Sequence, residues 1–188
     1  MLPTDIAERH REVAAVFTTL VESTTDWEAP SPVAGWSARD VVDHLTTWLP
    51  AFVHAGSPYG WTRRHQASAD PLAAWREQCG AVQLLLDDPA QAESPFMHPQ
   101  APAARLDEAI DRFYVSDVFM HAWDLARATG QRAELDADFA AALLAGMRPL
   151  EEMLRASGQY GPAHPVSDDA PAIDQLMAFV GRDPEWRP

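Results

Sequence analysis

Residues 117–130 read Asp-Val-Phe-Met-His-Ala-Trp-Asp-Leu-Ala-Arg-Ala-Thr-Gly, and the fold class turns on this stretch. It has no proline, and Met, Leu and Ala are strong helix formers. Arg127 suits the negative end of a helix, and Gly130 can take the left-handed conformation that stops one. At about 100° per residue, Asp117 and His121 fall about 40° apart on one helix face, with Asp124 about 20° to the other side of Asp117. Neighbouring faces carry Phe113, Val118, Met120 and Leu125. The pattern predicts the longest helix of the chain over Ala103–Thr129.

The same reading extends outward. Upstream, Asp87–Pro102 holds four prolines and predicts a long loop, a kind that is often functional. Before it, Asp70-Pro71 resembles a helix cap followed by proline at the first helical position. Trp75, Cys79, Val82 and Leu86 then recur at helical spacing, predicting a helix from Asp70 to Leu86. Gly56, Pro58 and Gly60 mark a loop. Ser37-Ala38-Arg39-Asp40 fits a capping box with an aspartate in place of glutamate. The helix it opens carries Val41, His44, Leu45 and Trp48 on one face and is expected to kink or end at Pro50. Thr24–Pro32 is a connection, and Thr4–Ser23 a first helix capped by Thr4 with Ile6, Val13, Phe17, Leu20 and Val21 inward. Downstream, Asp136–Ser157 predicts a fifth helix. From Gly158 the chain is proline-rich, with a short helical piece near Ala170–Val180. Strand-like alternation is weak and there is no internal repeat. The expected fold is all-α: a four-helix bundle with additional short helices and a Pro-rich C-terminal segment, as a single domain over residues 1–188.

Composition narrows the function classes. Fourteen basic against 28 acidic side chains give a net charge of −14, which repels phosphate backbones and argues against nucleic acid. No apolar run is long enough to span a membrane, and the N-terminus lacks a signal-peptide core, so the cytoplasm is expected. A lone cysteine, Cys79, can form neither an internal disulfide nor a multi-cysteine zinc site; it is expected to be a small buried apolar residue. His10, His54, His65 and His164 have no partner pattern and are expected at the surface. A homodimer is compatible with a bundle of this size.

A carboxylate and an imidazole within an apolar helix are costly unless something satisfies them, and a shared cation does so. Spacing alone is weak evidence. With 28 acidic residues in 188, seven histidines should find an acid four positions earlier about once by chance, and the sequence holds two such pairs, Asp117/His121 and Asp40/His44. The alternative is a helix-supporting ion pair, with Asp40 serving only as the cap. His44 shares the inward face of its helix, so it can join Asp117 and His121 if the second and fourth helices are neighbours.

The segment Gly35-Trp36-Ser37-Ala38-Arg39-Asp40-Val41-Val42-Asp43-His44-Leu45, followed by Asp117–Gly130, resembles the signature of the DinB-like metal-binding superfamily. It is most similar to the metal-binding N-terminal domain of mycothiol-dependent maleylpyruvate isomerase. Phe179-Val180-Gly181-Arg182-Asp183-Pro184 resembles the close of a small single-domain branch, so the likeness runs from Ile6 to Pro184. It implies a four-helix bundle with an open metal site at one end, held by His44, Asp117 and His121. Aspartate stands at 117 where the isomerase has glutamate. The isomerase also has a further C-terminal domain that contributes to its active site, and the resemblance does not reach one here.

Two imidazoles and one carboxylate suit zinc, and also nickel or iron, and leave an open position. With a 2+ ion the site is left at +1, which an incoming thiolate would neutralise, and coordination deprotonates a thiol. The expected function is divalent-metal binding with thiol chemistry. The chain would be a transferase or isomerase that presents a low-molecular-weight thiol such as mycothiol to small electrophiles. The same centre could activate water instead. The alternatives are a non-catalytic metal-binding module that senses or carries a small ligand, and a bundle with ion pairs and no metal. Asp124 can orient His121 or His44 from behind, or pair with Arg127 or a neighbouring helix. Trp36 and Trp123 can line the pocket or pack in the core. His98, in the long loop, can reach the site as a fourth ligand or acid–base group, or remain solvated.

Overall fold

The computed structural model describes residues 1–188 and is mainly helical. The long helices are α1 (Ile6–Ser23), α2 (Ala38–Gly56), α3 (Pro71–Leu86) and the run α5 (Leu106–Ile110), a π-helical turn (Asp111–Val115) and α6 (Ser116–Ala128). α1 packs on α3 and α6, and α2 packs on the same two, so α1 and α2 face each other across the bundle. The second and fourth long helices are therefore neighbours. No helix is long and apolar enough to cross a membrane.

Local chemistry sets most boundaries. Ser37 accepts from the Asp40 amide while the Asp40 carboxylate accepts from the Ser37 amide, which closes the predicted capping box. Asp70 caps α3 ahead of Pro71, as expected. Asp5 rather than Thr4 caps α1, its carboxylate accepting from the Glu8 amide. α2 does not end at Pro50 but runs on to Gly56. There a Cβ would overlap the ring of Phe96, so the glycine makes room for that ring.

The expected loop 87–102 holds more order than its prolines suggest. It contains a short helix, α4 (Pro89–Ala92), and a strand, β1 (Pro95–Phe96), that pairs antiparallel with β2 (Ala104–Arg105). That pairing delays the fourth long helix from Ala103 to Leu106. Downstream, the predicted fifth helix is divided. α7 (Ala137–Met147) passes through a 3-10 turn at Arg148–Leu150, around Pro149, into α8 (Glu151–Ala156). The short C-terminal helix is α9 (Ala172–Phe179), packed on α7.

The core is continuous through the bundle. Phe17 and Trp75 join α1 to α3 with ring centroids 4.4 Å apart, and the Trp75 indole donates to Thr18 at 2.8 Å. His10, expected at the surface, is buried beside them on α1, its Nδ1 2.7 Å from Gln83 Oε1. It lies on the helix face that α3 and the π-helical turn cover. Cys79 is half-buried, and burial pushes its thiol up.

Glu77 on α3 ties down the loop that follows α2. Its carboxylate accepts from the Arg64 side chain at 2.8 Å and from the Arg64 and His65 amides at 2.9 Å. Led by the Arg64 hydrogen bond, these contacts lower its pKa from 4.5 to about 2. A depressed carboxyl contributes stability that is present above the unfolded value and lost as pH falls through the folded one. The Glu77 contribution should therefore hold above pH 4.5 and fade toward pH 2. Carboxyl-carbon NMR should place its midpoint near 2; an ordinary glutamate midpoint would contradict the tether.

Candidate metal centre and its cavity

α2 supplies His44, and α6 supplies Asp117, His121 and Asp124. The ligating atoms of His44, Asp117 and His121 all lie within 4.8 Å of one another. His44 Nε2 is 3.0 Å from Asp117 Oδ2, and His121 Nε2 is 3.4 Å from Asp117 Oδ1. The Trp48 indole donates to Asp117 Oδ2 at 3.1 Å. Asp40, the acid of the second i,i+4 pair, is occupied as the helix cap.

Behind this cluster stands a buried relay. His121 Nδ1 is 2.9 Å from Asp124 Oδ2, and Asp124 is fully buried. Arg182 donates through Nη2 to Asp124 Oδ2 at 3.0 Å and through Nε to Oδ1 at 3.3 Å. Of the readings open for Asp124, these contacts match the orientation of His121 together with an ion pair to a distant segment. Arg127 is not its partner; that guanidinium lies 4.9 Å over the Trp123 ring. Burial alone would raise both aspartates. It is outweighed at Asp124 by Arg182 and His121, and at Asp117 by His121, His44 and Trp48, so both carboxyls are held below their ordinary value.

The donor inventory tests whether a cation fits. With the ionised Asp124 carboxylate on Nδ1, the neutral His121 ring carries its proton there, leaving a lone pair on Nε2. That lone pair faces Asp117 Oδ1, so two acceptors meet with no hydrogen between them. A cation between converging nitrogen and oxygen atoms satisfies both, as would an extra proton on the ring. Three donor atoms converging from two helices match the metal case better, and the set suits zinc, nickel or iron. The Arg182 charge cancels that of Asp124, so a 2+ ion with Asp117 leaves the centre at a net +1.

The cluster opens into a cavity of about 550 Å³. Trp36, from the turn before α2, lies over both imidazoles, with ring centroids 5.1 Å from His44 and 5.7 Å from His121. Trp48, Phe52 and Phe113 continue the aromatic wall, and His98 closes one side from the loop after β1. Trp123, weighed as a pocket residue, does not line this cavity; it is buried in the core under Arg127. His98 reaches the cavity wall but stands outside the group of converging ligand atoms.

The far wall comes from the C-terminal segment through Tyr160, Val180 and Arg182. Gly181 has φ +91°, and a Cβ there would meet the Gly161 backbone at 2.8 Å. This close crossing brings Tyr160 and Arg182 to the site. Burial, with the Asp117 charge adding, pushes the Tyr160 phenol up to about 12, so it stays protonated and able to donate. Tyr160 carries no local signal of its role in the sequence, and Arg182 lies in the Phe179–Pro184 segment that resembles the family without any sign there of its link to Asp124.

These features define a helical-bundle protein with two imidazoles and a carboxylate at the base of an aromatic cavity. The chain belongs to the family described as the mycothiol maleylpyruvate isomerase N-terminal domain, which it matches over residues 7–126. That span includes His44, Asp117, His121 and Asp124 and ends before Tyr160 and Arg182. The chain is also 28% identical to an uncharacterized protein of Mycobacterium tuberculosis, recorded in strains CDC 1551 / Oshkosh and ATCC 25618 / H37Rv, over 81% of this chain and 83% of that protein. No solved structure matches it.

Proposed function

We propose that this chain binds one divalent metal ion, zinc foremost, through His44, Asp117 and His121, and uses it in thiol transfer or isomerisation of small electrophiles. The observation that carries this reading is the pair of facing acceptors, His121 Nε2 and Asp117 Oδ1, at 3.4 Å beside His44. Family membership supports mycothiol, or a thiol of that type, as the co-substrate. When bound, the metal would hold the thiol as its thiolate at a centre whose net +1 charge the thiolate neutralises.

The protein's own groups do the rest. Asp124, held by Arg182, fixes the His121 tautomer and ring direction. Trp48 orients Asp117. Trp36, Phe52 and Phe113 exclude water around the ligand, and Tyr160 offers a neutral donor. One cavity takes residues from Val33 to Arg182, which supports residues 1–188 acting as one functional unit. Cobalt(II) substitution tests the thiol reading. Adding mycothiol should produce an intense near-ultraviolet thiolate-to-cobalt absorption, followed by turnover of a small electrophile. Metal-loaded protein that gives the absorption without turnover of any electrophile would instead be a carrier or sensor. No absorption with mycothiol or bacillithiol would remove the thiol chemistry.

A further inference from the structure

His98 differs from every other polar group on the cavity wall in how it is held. Its Nδ1 accepts the Gln100 backbone N–H at 3.1 Å. A neutral imidazole whose Nδ1 is an acceptor must carry its proton on Nε2. The ring is fixed on two sides: it lies 4.6 Å from Phe52 and stacks on Phe96 at 5.9 Å with the planes 3° apart. Phe96 is itself buried, seated against Gly56 and held in the β1–β2 pair. The Nε2–H has no protein partner, and the residue forms part of the cavity wall. A side chain in an exposed loop held this firmly, with one donor left over, is pre-organised for something that enters the cavity.

The rest of the wall narrows what that is. The only guanidinium on it, Arg182, is engaged by the Asp124 carboxylate, and the net +1 of the metal centre is neutralised by the thiolate, so no free charge awaits a multiply charged anion. Trp36, Trp48, Phe52 and Phe113 offer apolar ring faces.

We infer that His98 is a substrate-positioning residue that donates its Nε2–H to a carbonyl or similar acceptor on a ligand whose body is neutral, compact and aromatic or apolar. This rests on the reading of the cavity as the ligand site and assigns the class of its electrophilic substrate. His98 would hold the acceptor end against the Phe52–Phe96 wall, so that the body lies across the aromatic surface facing His44 and His121. It takes no part as a metal ligand.

The test uses a matched pair of probes, acetophenone and ethylbenzene, which differ by a carbonyl in place of a methylene. Their affinities are measured by ligand-observed NMR on protein as purified and again after chelation, in wild type, His98→Phe and His98→Gln. Phenylalanine keeps the stacking and removes the donor; glutamine returns an N–H. The ratio of acetophenone to ethylbenzene affinity should fall about tenfold in His98→Phe, the worth of one neutral hydrogen bond. Ethylbenzene binding should be unchanged, and His98→Gln should recover part of the ratio. An unchanged ratio in His98→Phe, equal loss of both probes, or no binding of either probe to wild type would overturn the assignment. Because the ratio is read with and without metal, its failure is distinct from failure of the metal-binding proposal.

Discussion

Replacing His121 with alanine is expected to lower affinity for zinc by more than 100-fold while leaving the helical content intact. Residues that merely orient a ligand are worth about 10–100-fold in metal affinity, and removal of a ligand costs more. His121 is also the ligand whose lone pair is best defined, because Asp124 holds Nδ1 at 2.9 Å. The fold should tolerate the change: Asp124 keeps both contacts from Arg182, so no charge is stranded. Competition against a chromophoric chelator gives the affinity, and far-ultraviolet circular dichroism the helicity. Asp124→Asn should fall in the 10–100-fold range, since the amide can still meet His121 but no longer enforces its tautomer. Zinc affinity unchanged in His121→Ala would show that the facing acceptors are bridged by a proton alone.

Arg182→Ala is expected to destabilise the protein by about 3–5 kcal/mol, because it leaves the charge of Asp124 buried and uncompensated. Asp124 is 0% exposed, Arg182 is its only guanidinium partner, and its other contact is the Nδ1 of His121. The loss should appear as a shift of the urea midpoint with little change in slope. Arg182→Lys should recover only part of it, since a single ammonium cannot reproduce the two-atom contact through Nε and Nη2. The double variant Asp124→Asn with Arg182→Met removes both charges and should regain much of the stability, while metal affinity stays reduced. Full stability in Arg182→Ala would mean that the C-terminal segment is dispensable to the site.

The parts of this molecule that were legible in its sequence are those written in local chemistry. The Ser37–Asp40 capping box, the Asp70-Pro71 start and the apolar faces of α1, α2 and α3 each follow from residues a few positions apart. The i,i+4 pair Asp117/His121 is legible in the same way, and His44 through its inward face. What escaped depends on contacts distant along the chain. Arg182 reaches Asp124 across 58 positions, and no spacing rule links them. Tyr160 is brought in by the Gly161–Gly181 crossing, a backbone approach without a side-chain signature. The π-helical turn at Asp111–Val115 is invisible to a 3.6-residue period because it adds a residue within an otherwise helical pattern. His10 was misplaced for a related reason. A lone polar residue on an apolar helix gives no sign that Gln83, on another helix, will partner its Nδ1.

Whether His44, Asp117 and His121 hold a metal ion can be read from elemental analysis of untagged protein. About one zinc, nickel or iron per chain is expected in the wild type, with loss of that metal in His44→Ala, Asp117→Ala and His121→Ala alike. A wild-type protein that neither retains nor takes up a divalent metal, or that binds one equally well after these substitutions, would contradict a metal centre at these residues.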